Sequence, residues 1–397
     1  MNSKLLHPEV QDFIIEKSDQ HTDLTKLILA GSPFKDITTQ ELAEQISGRQ
    51  KALQKLPSWT VHRNILYPPT LNLEQTSSDQ TAAYKSALVS GDTLIDVTGG
   101  WGVDAFAFNQ HINKVTHCEL NPTLSALAAH NYNTRQASTI QTVCQDGLTV
   151  VRDAKKFDWI YIDPSRRSTT KGKVFFLNDC LPDVTLHQEL FLDKAANVMI
   201  KTSPLLDIQH GLAVLKNVVA IHVVAVNNEV KELLWILQKD YTKEVTIVTA
   251  NLKKQQKDIF SFTYGRHSLQ ETTYHTPLTY LYEPNSAILK SGGFADVAQA
   301  YGVKKLHPNS HLYTSDSLLS FPGRVFKIIT RSSFSKKDIK RLHIEKANIT
   351  TRNFPDTVAS IRKRFKIKDG GDTYLFFTTD LHDTKIILHC KKIATSS

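Results

Sequence analysis

The sequence predicts an α/β fold built around one largely parallel sheet, with helices before it and small α+β segments after it. Three observations support this class: helical periodicity at the start, alternation of β-branched runs with helical segments from Gly91 to about residue 252, and short mixed elements beyond. Strands that alternate with helices are typical of a parallel sheet covered on both faces. The 397 residues are enough for two or three domains.

Residues 1–75 are predicted to form an N-terminal helical region. The segments PEVQDFIIEK, DLTKLILA and TTQELAEQISGRQKALQKL place apolar residues at three- and four-residue spacings. Thr38 or Thr39 is expected to cap the third of these helices. The next helix, in SSDQTAAYKSAL, is expected to begin after Ser77 or Ser78.

Residues 76–252 are predicted to hold seven strands separated by helices. The strands are expected in TLIDVT, KVTHCEL, STIQTVC, FDWIYID, NVMIKT, VVAIHVVAV and EVTIVTA. The helices are expected near residues 103–110, 121–134, 147–155, 179–195, 205–216 and 229–239. Because crossovers between parallel strands are right-handed, the active edge of the sheet is expected at the carboxyl ends of its strands.

Two smaller segments are predicted to follow. The polar link NLKKQQKD, residues 251–258, is expected to lead from the sheet into residues 253–323, which hold a candidate strand in FSFTYGR and are otherwise irregular α+β. Residues 324–397 are predicted to be a compact α+β domain. Its strands are expected in RVFKIIT, ANITTR, TYLFFTT and TKIILHC, and its helices in SKKDIKRLHIE and PDTVASIRKRFKI.

Positive charge is concentrated at the C-terminal end. Residues 325–397 hold 16 Lys and Arg against 7 Asp and Glu, a balance of +9, which equals the net charge of the whole chain. A local field of this sign suits a polyanion such as RNA, although a solvated surface that favours solubility is the simpler interpretation.

Composition argues against several classes of protein. No apolar run approaches the ~18 residues that span a bilayer, and the N-terminus lacks the apolar core of a signal peptide. The four cysteines are far apart without a CxxC motif, which indicates a reducing cytoplasm without disulfides or structural zinc. None of the 16 histidines belongs to an HExxH motif, so no metal is expected.

The stretch LIDVTGGWGVD has the pattern of a ligand-binding loop between a strand and a helix. Glycines let the backbone approach a ligand closely, and the helix that follows presents its N–H groups. Thr98, Gly99, Gly100 and Gly102 are therefore predicted to bind a nucleotide cofactor. Gly100, Gly102 and Ala105 also match the dinucleotide GxGxxA pattern, which taken alone is unspecific.

Acidic residues follow three successive predicted strands. Asp96 would repel a pyrophosphate but attract a ligand with an amino group and a sulfonium, such as S-adenosylmethionine. Glu119 can accept both ribose hydroxyls of a nucleotide, and Asp146 can meet an adenine amino group. Each acid could instead be a helix N-cap, but three together favour a shared site. Their neighbours complete the predicted cofactor set: Leu120 and Gly147.

The fourth strand ends in DWIYIDPSRRS, which places Asp163 and Pro164 at the same edge. Together with DVTGGWGVD, HCEL and QDG, this sequence resembles class I S-adenosylmethionine-dependent methyltransferases over roughly residues 74–250. It is most similar to the branch that carries Asp-Pro-Pro-type tetrapeptides and methylates nitrogen in nucleic acid bases. The resemblance implies a seven-stranded Rossmann-like methyltransferase sheet.

The whole chain is similar to a narrower bacterial group, methyltransferase-like proteins with a C-terminal THUMP-like domain. The segments LEQTSSDQTAAYK, EPNSAILKSGG, NITTRNFP and IKDGGDTYLFF carry this resemblance. It implies a small ferredoxin-like segment before the THUMP-like domain. Because THUMP domains bind RNA, the resemblance also implies an RNA partner, tRNA or rRNA, consistent with the basic C-terminal residues.

Two departures from the family pattern bear on the site. Thr98 replaces the first glycine of the usual D-x-G-x-G-x-G loop, and its hydroxyl is expected to bond the cofactor carboxylate or the loop backbone. Ser165 and Arg166 follow Pro164 where the tetrapeptide usually ends in an aromatic residue, so base stacking must come from elsewhere or the substrate differs.

The remaining candidate residues complete the predicted site. Asp163 and the Pro164 carbonyl are predicted to hold and orient an exocyclic amine for in-line methyl transfer. A substrate surface is predicted at Ser165, Arg166, Arg167 and Lys201, with the arginines clamping phosphate or forming internal salt bridges, and with Lys201 either on the substrate side or structural. Gln75, Ser77 and Ser78 are predicted to bind the methionine carboxylate or to cap a helix.

The first interpretation is thus an RNA methyltransferase acting on a base nitrogen. Three alternatives remain open. One is an NAD-dependent oxidoreductase, which Asp96 and the lack of a hydride-site His/Lys arrangement disfavour. The second is an RNA-binding protein whose methyltransferase fold is no longer catalytic. The third is a methyltransferase for a protein or a small molecule.

Overall fold

The computed structural model describes residues 2–166, 176–254, 256–266 and 272–393. The chain forms two compact units. The first comprises Met1–Val219 with Leu233–Lys243, and the second comprises Ala220–Glu232 with Glu244–Ser397. Two strands contribute residues to both units, β8 (Val218–Val226) and β9 (Glu229–Gln238).

The first unit contains the N-terminal helices and most of the predicted parallel sheet. Its helices are α1 Pro8–Asp19, α2 Leu24–Ala30, α3 Thr39–Lys55, α4 Pro57–Thr60, α5 Thr70–Gln75, α6 Asp79–Ser86, α7 Val103–Phe108, α8 Pro122–Thr134, α9 Gly147–Asp153, α10 Val184–Lys194 and α11 Ile208–Val214. Its remaining strands are β1 Gly91–Asp96, β2 Ile112–Cys118, β3 Ile140–Val143, β4 Phe157–Ile162, β5 Ser165–Arg166, β6 Cys180–Leu181 and β7 Ala195–Thr202.

The strand order places β1 and β4 in the middle of this sheet. Within the unit the order is β9, β7, β4, β1, β2 and β3. Residues Leu233–Gln238 of β9 pair antiparallel with β7, and the other neighbours are parallel. Because β1, β2, β4 and β7 run in the same direction, their carboxyl ends share one edge. The predicted α/β class with a largely parallel sheet is confirmed.

The N-terminal helices begin where local sequence provides caps. Thr38 and Glu41 form a capping box at α3, and Ser78 caps α6 together with Thr81. These pairs satisfy N–H groups that lack a partner inside the helix.

A buried apolar cluster joins this helical region to the glycine loop. The Trp59 and Trp101 rings lie 4.6 Å apart, and Trp101 Nε1 donates to the Leu66 carbonyl at 3.1 Å. Trp101 therefore fixes the glycine loop to the N-terminal helical region.

One predicted helix is wrong: residues 229–239 form strand β9. Asn227 and Asn228, which precede this strand, both have positive φ, of 49° and 68°. Two successive residues in that region make the tight turn of a β-hairpin, and asparagine tolerates it better than most residues. The apolar run that follows is buried as a strand.

The second unit contains two sets of strands. Residues of β8 pair in parallel with β10 (Thr246–Leu252), which pairs antiparallel with β11 (Lys257–Thr263). A seven-stranded sheet follows in the order β13, β14, β12, β15, β18, β17, β16. Its strands are β12 Tyr280–Pro284, β13 Lys304–Lys305, β14 Tyr313–Ser315, β15 Gly323–Ser333, β16 Asn348–Arg352, β17 Thr373–Thr379 and β18 Lys385–Lys392. Its helices are α12 Ser286–Ser291, α13 Phe294–Tyr301, α14 Lys336–Arg341 and α15 Val358–Phe365.

A buried carboxylate connects the two halves of this second sheet. Glu283 on β12 is almost completely buried and accepts hydrogen bonds from Arg324 Nε at 2.6 Å and Arg352 Nη2 at 2.9 Å. The two arginines lie on β15 and β16, so one acid compensates charges from separate strands. Charge-assisted pairs of this kind fix the relative placement of the strands.

Candidate active site

The glycine loop is tied to the end of the neighbouring strand β2. The Gly99 N–H donates to the Cys118 carbonyl at 2.8 Å, and the Gly100 N–H donates to Glu119 Oε2 at 2.9 Å. Gly102 begins helix α7 with φ 92° and ψ 17°, a conformation that favours glycine. The loop predicted from the sequence is therefore present between β1 and α7.

Glu119 is positioned by main-chain donors on both of its carboxylate oxygens. Oε2 accepts from Gly100 N, and Oε1 accepts from the Asn121 N–H at 2.7 Å. Each carboxylate oxygen has a further lone pair, so a fixed Glu119 can still accept hydroxyl donors. Leu120, the next residue, is 68% exposed.

Asp96 is the most deeply placed of the acids, with 1% of its surface exposed. Its Oδ1 accepts from the Thr98 N–H at 3.0 Å. Burial raises the pKa of Asp96 well above its ordinary value, and the nearby negative charges of Asp104, Asp163 and Glu119 raise it further, against the Thr98 hydrogen bond. Of the three acids predicted at successive strand ends, Asp96 and Glu119 therefore interact with each other, and Asp96 also interacts with Asp163 after the fourth strand.

Asp163 lies immediately after β4 and is held on two sides. Its main-chain N–H donates to Thr98 Oγ1 at 2.7 Å. Its carboxylate forms an ion pair with Lys201, which lies near the end of the adjacent strand β7. The Thr98 hydroxyl therefore bonds the main chain after β4, which is neither of its two predicted partners, and Lys201 contacts Asp163.

The structure contains a buried polar network near these strand ends that was not predicted from the sequence. Lys85 on α6, which is 0% exposed, lies 3.4 Å from Asp104 Oδ1 and donates to Ser77 Oγ at 3.0 Å. Asp104 Oδ2 accepts from Ser77 Oγ and from the Tyr161 hydroxyl, both at 2.8 Å. Burial favours the neutral acid, but the charges of Lys85 and Lys201 and these hydrogen bonds hold the pKa of Asp104 below its ordinary value.

Asp104 could have been identified from the sequence, since it lies in the same glycine-rich stretch. No local sequence pattern indicated that Lys85 and Tyr161 would contact it. Their pairing depends on α6, α7 and β4 meeting in space. Ser77, one of the two serines predicted to bind the cofactor, forms hydrogen bonds within this network.

Three other predicted cofactor residues have local structural roles. Ser78 caps α6, and Asp146 caps α9 by accepting from Leu148 N and Thr149 N, each at 3.3 Å. Gly147 is buried at the start of α9, where a side chain would meet the Val97 carbonyl. Gln75 is exposed at the end of α5. Ligand roles for these four residues stay predictions.

The residues after the Asp-Pro pair form a short ribbon. Pro164 is buried, and Ser165 and Arg166 form β5, which pairs antiparallel with Cys180 and Leu181 of β6. Arg167 lies outside the described residues. The predicted phosphate contacts of this segment remain a prediction.

A solved structure from Porphyromonas gingivalis W83, described as a proposed methyltransferase, is similar to this chain along its whole length. The two are 31% identical, with a TM-score of 0.86, and the similarity covers 98% of this chain and 99% of the other. The chain belongs to this methyltransferase family.

The C-terminal part of the methyltransferase matches two family models. Residues 280–322 match a ferredoxin-like domain, and residues 323–392 match a THUMP domain-like family. Both domain types predicted from the sequence are therefore confirmed, while the bounds of the four predicted domains remain predictions.

More distant solved structures share only part of the chain. A methyltransferase from Geobacter sulfurreducens is 12% identical over 41% of this chain and 78% of that one, with a TM-score of 0.31. A tRNA m1G37 methyltransferase from M. jannaschii is 13% identical over 41% and 50%, with a TM-score of 0.30. These scores are too low to bear on the site. No curated protein sequence matches the methyltransferase.

Across the described ranges, no helix has both the length and the apolar character needed to cross a membrane. In the same part of the chain, no group of three or more His, Cys, Asp or Glu side chains is arranged to hold a metal ion.

Proposed function

We propose that this methyltransferase uses S-adenosylmethionine and methylates a base nitrogen in RNA, either tRNA or rRNA. The observation that carries the proposal is the gathering of Asp96, Glu119 and Asp163 at one edge of the sheet. Burial and like charge make ionised Asp96 unfavourable there. A ligand with a positive charge relieves that repulsion, whereas a pyrophosphate would add to it.

The residues at this edge fit the groups of S-adenosylmethionine. Its sulfonium and amino cations suit the acid-rich side near Asp96 and Asp163. Its ribose hydroxyls suit Glu119, whose carboxylate is already oriented by Gly100 and Asn121. The exposed Leu120 offers an apolar surface beside the predicted ribose position. When bound, this cofactor supplies an electrophilic methyl group.

The chain's own residues would hold the nucleophile. An exocyclic or ring amine donates hydrogen bonds, and the Asp163 carboxylate and Pro164 carbonyl are acceptors at adjacent positions. Such contacts orient the nitrogen lone pair, and orientation is the main contribution an enzyme makes to an in-line displacement. A base paired in a duplex would first have to leave the stack.

Two features support RNA as the substrate class. The THUMP domain-like match spans residues 323–392, and residues 325–397 carry a charge balance of +9. A polyanion is attracted to such a surface before any sequence-specific contact forms. Phosphate contacts by Arg166 and Arg167, predicted from the sequence, would add to this attraction.

One experiment tests the reaction. Total RNA from a strain lacking the gene is incubated with the protein and S-adenosylmethionine carrying a tritiated methyl group, followed by mass spectrometry of the tRNA and rRNA nucleosides. We expect one methylated nucleoside that is absent from the deletion strain. RNA binding without methyl transfer would favour the inactive RNA-binding alternative. Label found only in protein or small molecules would favour the other methyltransferase alternative.

A second experiment tests the cofactor. Thermal unfolding is followed with S-adenosylhomocysteine and, separately, with NAD. A shift with the homocysteine compound alone is expected, because ligands that bind the native state raise its stability. A shift with NAD alone would refute the cofactor assignment.

A further inference from the structure

The Asp163 side of the candidate site is built so that both its main chain and its carboxylate are fixed. Strands β4 and β7 are parallel neighbours in which Ile162 lies opposite Ile200. Asp163 and Lys201 are the next residues on each chain, so the ion pair forms between adjacent strand ends. The pair therefore follows from the register of the central sheet.

The main chain of Asp163 is fixed from the opposite direction by the glycine loop. Thr98 Oγ1 accepts the Asp163 N–H at 2.7 Å, and the Thr98 N–H donates to buried Asp96 Oδ1 at 3.0 Å. The hydroxyl itself lies 3.4 Å from the same Asp96 oxygen. A glycine at position 98 could not make the contact to Asp163. This gives a physical reason for threonine where related loops have glycine.

The two partners of the ion pair differ in exposure. The Lys201 side chain is 12% exposed and that of Asp163 is 35% exposed. Lys201 pairs with Asp163 Oδ2, and among the described residues no donor contacts Oδ1. The ammonium thus fixes one oxygen from the protein side, and under the proposed function the other oxygen receives the substrate N–H.

A fixed carboxylate matters for this chemistry because the nucleophile must lie in line with the methyl group. A misplacement of about 1 Å can cost on the order of 100-fold in rate. A charge-assisted bond restricts the rotamers of Asp163 more strongly than a neutral one. Because a lysine ammonium is already protonated, Lys201 cannot accept the proton that the substrate loses, and it acts through Asp163.

We infer that Thr98 and Lys201 are positioning residues that hold Asp163 so that a single carboxylate oxygen receives the substrate N–H. The inference rests on the proposed function, in which Asp163 contacts the nucleophile. It assigns Lys201 a role different from direct substrate binding.

The test uses paired variants in the full-length protein. Lys201→Met and Thr98→Val remove each contact, while Lys201→Arg and Thr98→Ser retain a donor or hydroxyl. Lys239→Met is the control, since this exposed lysine pairs with Asp193 away from the site. The assay is tritiated methyl transfer into total RNA from the deletion strain, with separate titration of S-adenosylhomocysteine.

We expect Lys201→Met and Thr98→Val to lower kcat by roughly 10- to 100-fold, with the RNA KM and the S-adenosylhomocysteine Kd within about threefold. Lys201→Arg and Thr98→Ser should recover most of the rate. In an Asp163→Asn background, Lys201→Met should cause less than about a twofold further loss, because residues that act through one another are not additive. An equal loss in both backgrounds, or loss of cofactor affinity in step with kcat, would overturn the inference.

A second measurement does not need activity. If the wild-type protein transfers no methyl group to RNA, the proposed function fails, and crystal structures of Lys201→Met and Thr98→Val then decide the positioning role. We expect the Asp163 carboxylate to leave its wild-type rotamer in the first variant and its main chain to shift in the second. An unmoved Asp163 in both structures would overturn the inference independently.

Discussion

Replacing Gly102 with alanine gives a direct test of the loop geometry, with Gly100 as a matched control. Both glycines have positive φ, of 92° and 57°. An added Cβ at Gly102 would lie 2.0 Å from the Tyr132 hydroxyl oxygen, whereas at Gly100 its nearest neighbour is the Thr98 carbonyl at 3.9 Å. The two substitutions therefore share backbone strain but differ in steric overlap.

The expected costs follow from these distances. Left-handed backbone costs an alanine about 1–2 kcal/mol at either position. Overpacking against Tyr132 adds about 1–3 kcal/mol at Gly102. The Tyr132 hydroxyl also donates to the Gly102 carbonyl at 3.0 Å, a bond whose loss adds about 1 kcal/mol. Gly100→Ala should thus cost about 1–2 kcal/mol and Gly102→Ala about 3–6 kcal/mol of unfolding free energy.

The assay is urea unfolding followed by far-UV circular dichroism and by tryptophan fluorescence. Tyr132→Leu removes the ring that obstructs the new Cβ. The double variant with Gly102→Ala should therefore lose less unfolding free energy than the two single variants lose in sum, by at least about 1 kcal/mol. The reasoning is refuted if Gly102→Ala costs no more than Gly100→Ala, or if the two changes at Gly102 and Tyr132 are additive.

Three further predictions concern charge. Lys85→Met should cost about 3–5 kcal/mol of unfolding free energy, because it leaves the buried Asp104 carboxylate without the Lys85 ammonium. Urea unfolding measures this cost, and a second change, Asp104→Asn, should recover part of it. Burial lowers the pKa of His117 to about 4, whereas the pKa of an unfolded histidine is about 6.5. Above about pH 6.5 the ring is neutral in both states, and the full free energy of unfolding is present. As the pH falls from there towards 4, only the unfolded state gains a proton, and about 3 kcal/mol of stability is lost. Unfolding curves from pH 7 to pH 4 check this, and an unchanged slope in His117→Leu would contradict it. Neutralising Lys336 and Lys340, both exposed on α14, should reduce the slope of log K for RNA against log salt by about 2, as measured by filter binding; an equal reduction on neutralising exposed lysines of the first unit would speak against a specific surface.

The parts of the fold that the sequence determined are those set by local pattern. Alternating β-branched runs and helices gave the parallel sheet, because that alternation can be buried in few other ways. Caps such as Thr38 and Ser78 are local hydrogen bonds, and each was among the candidates chosen from sequence. The one wrong element, β9, shows the limit of local pattern. Its apolar run suits a helix or a strand, and the left-handed Asn227–Asn228 turn decided between them.

The residues of the candidate site likewise fall into those that the sequence predicted and those that only the tertiary structure shows. Asp96, Glu119 and Asp163 could be named from sequence because a parallel sheet brings the carboxyl ends of its strands to one edge. The partners that orient them could not. Lys201 meets Asp163 through the register of β4 and β7, and Lys85 meets Asp104 only because α6 packs beside α7. Strand order and packing join residues far apart in the chain, and only the tertiary structure fixes those distances.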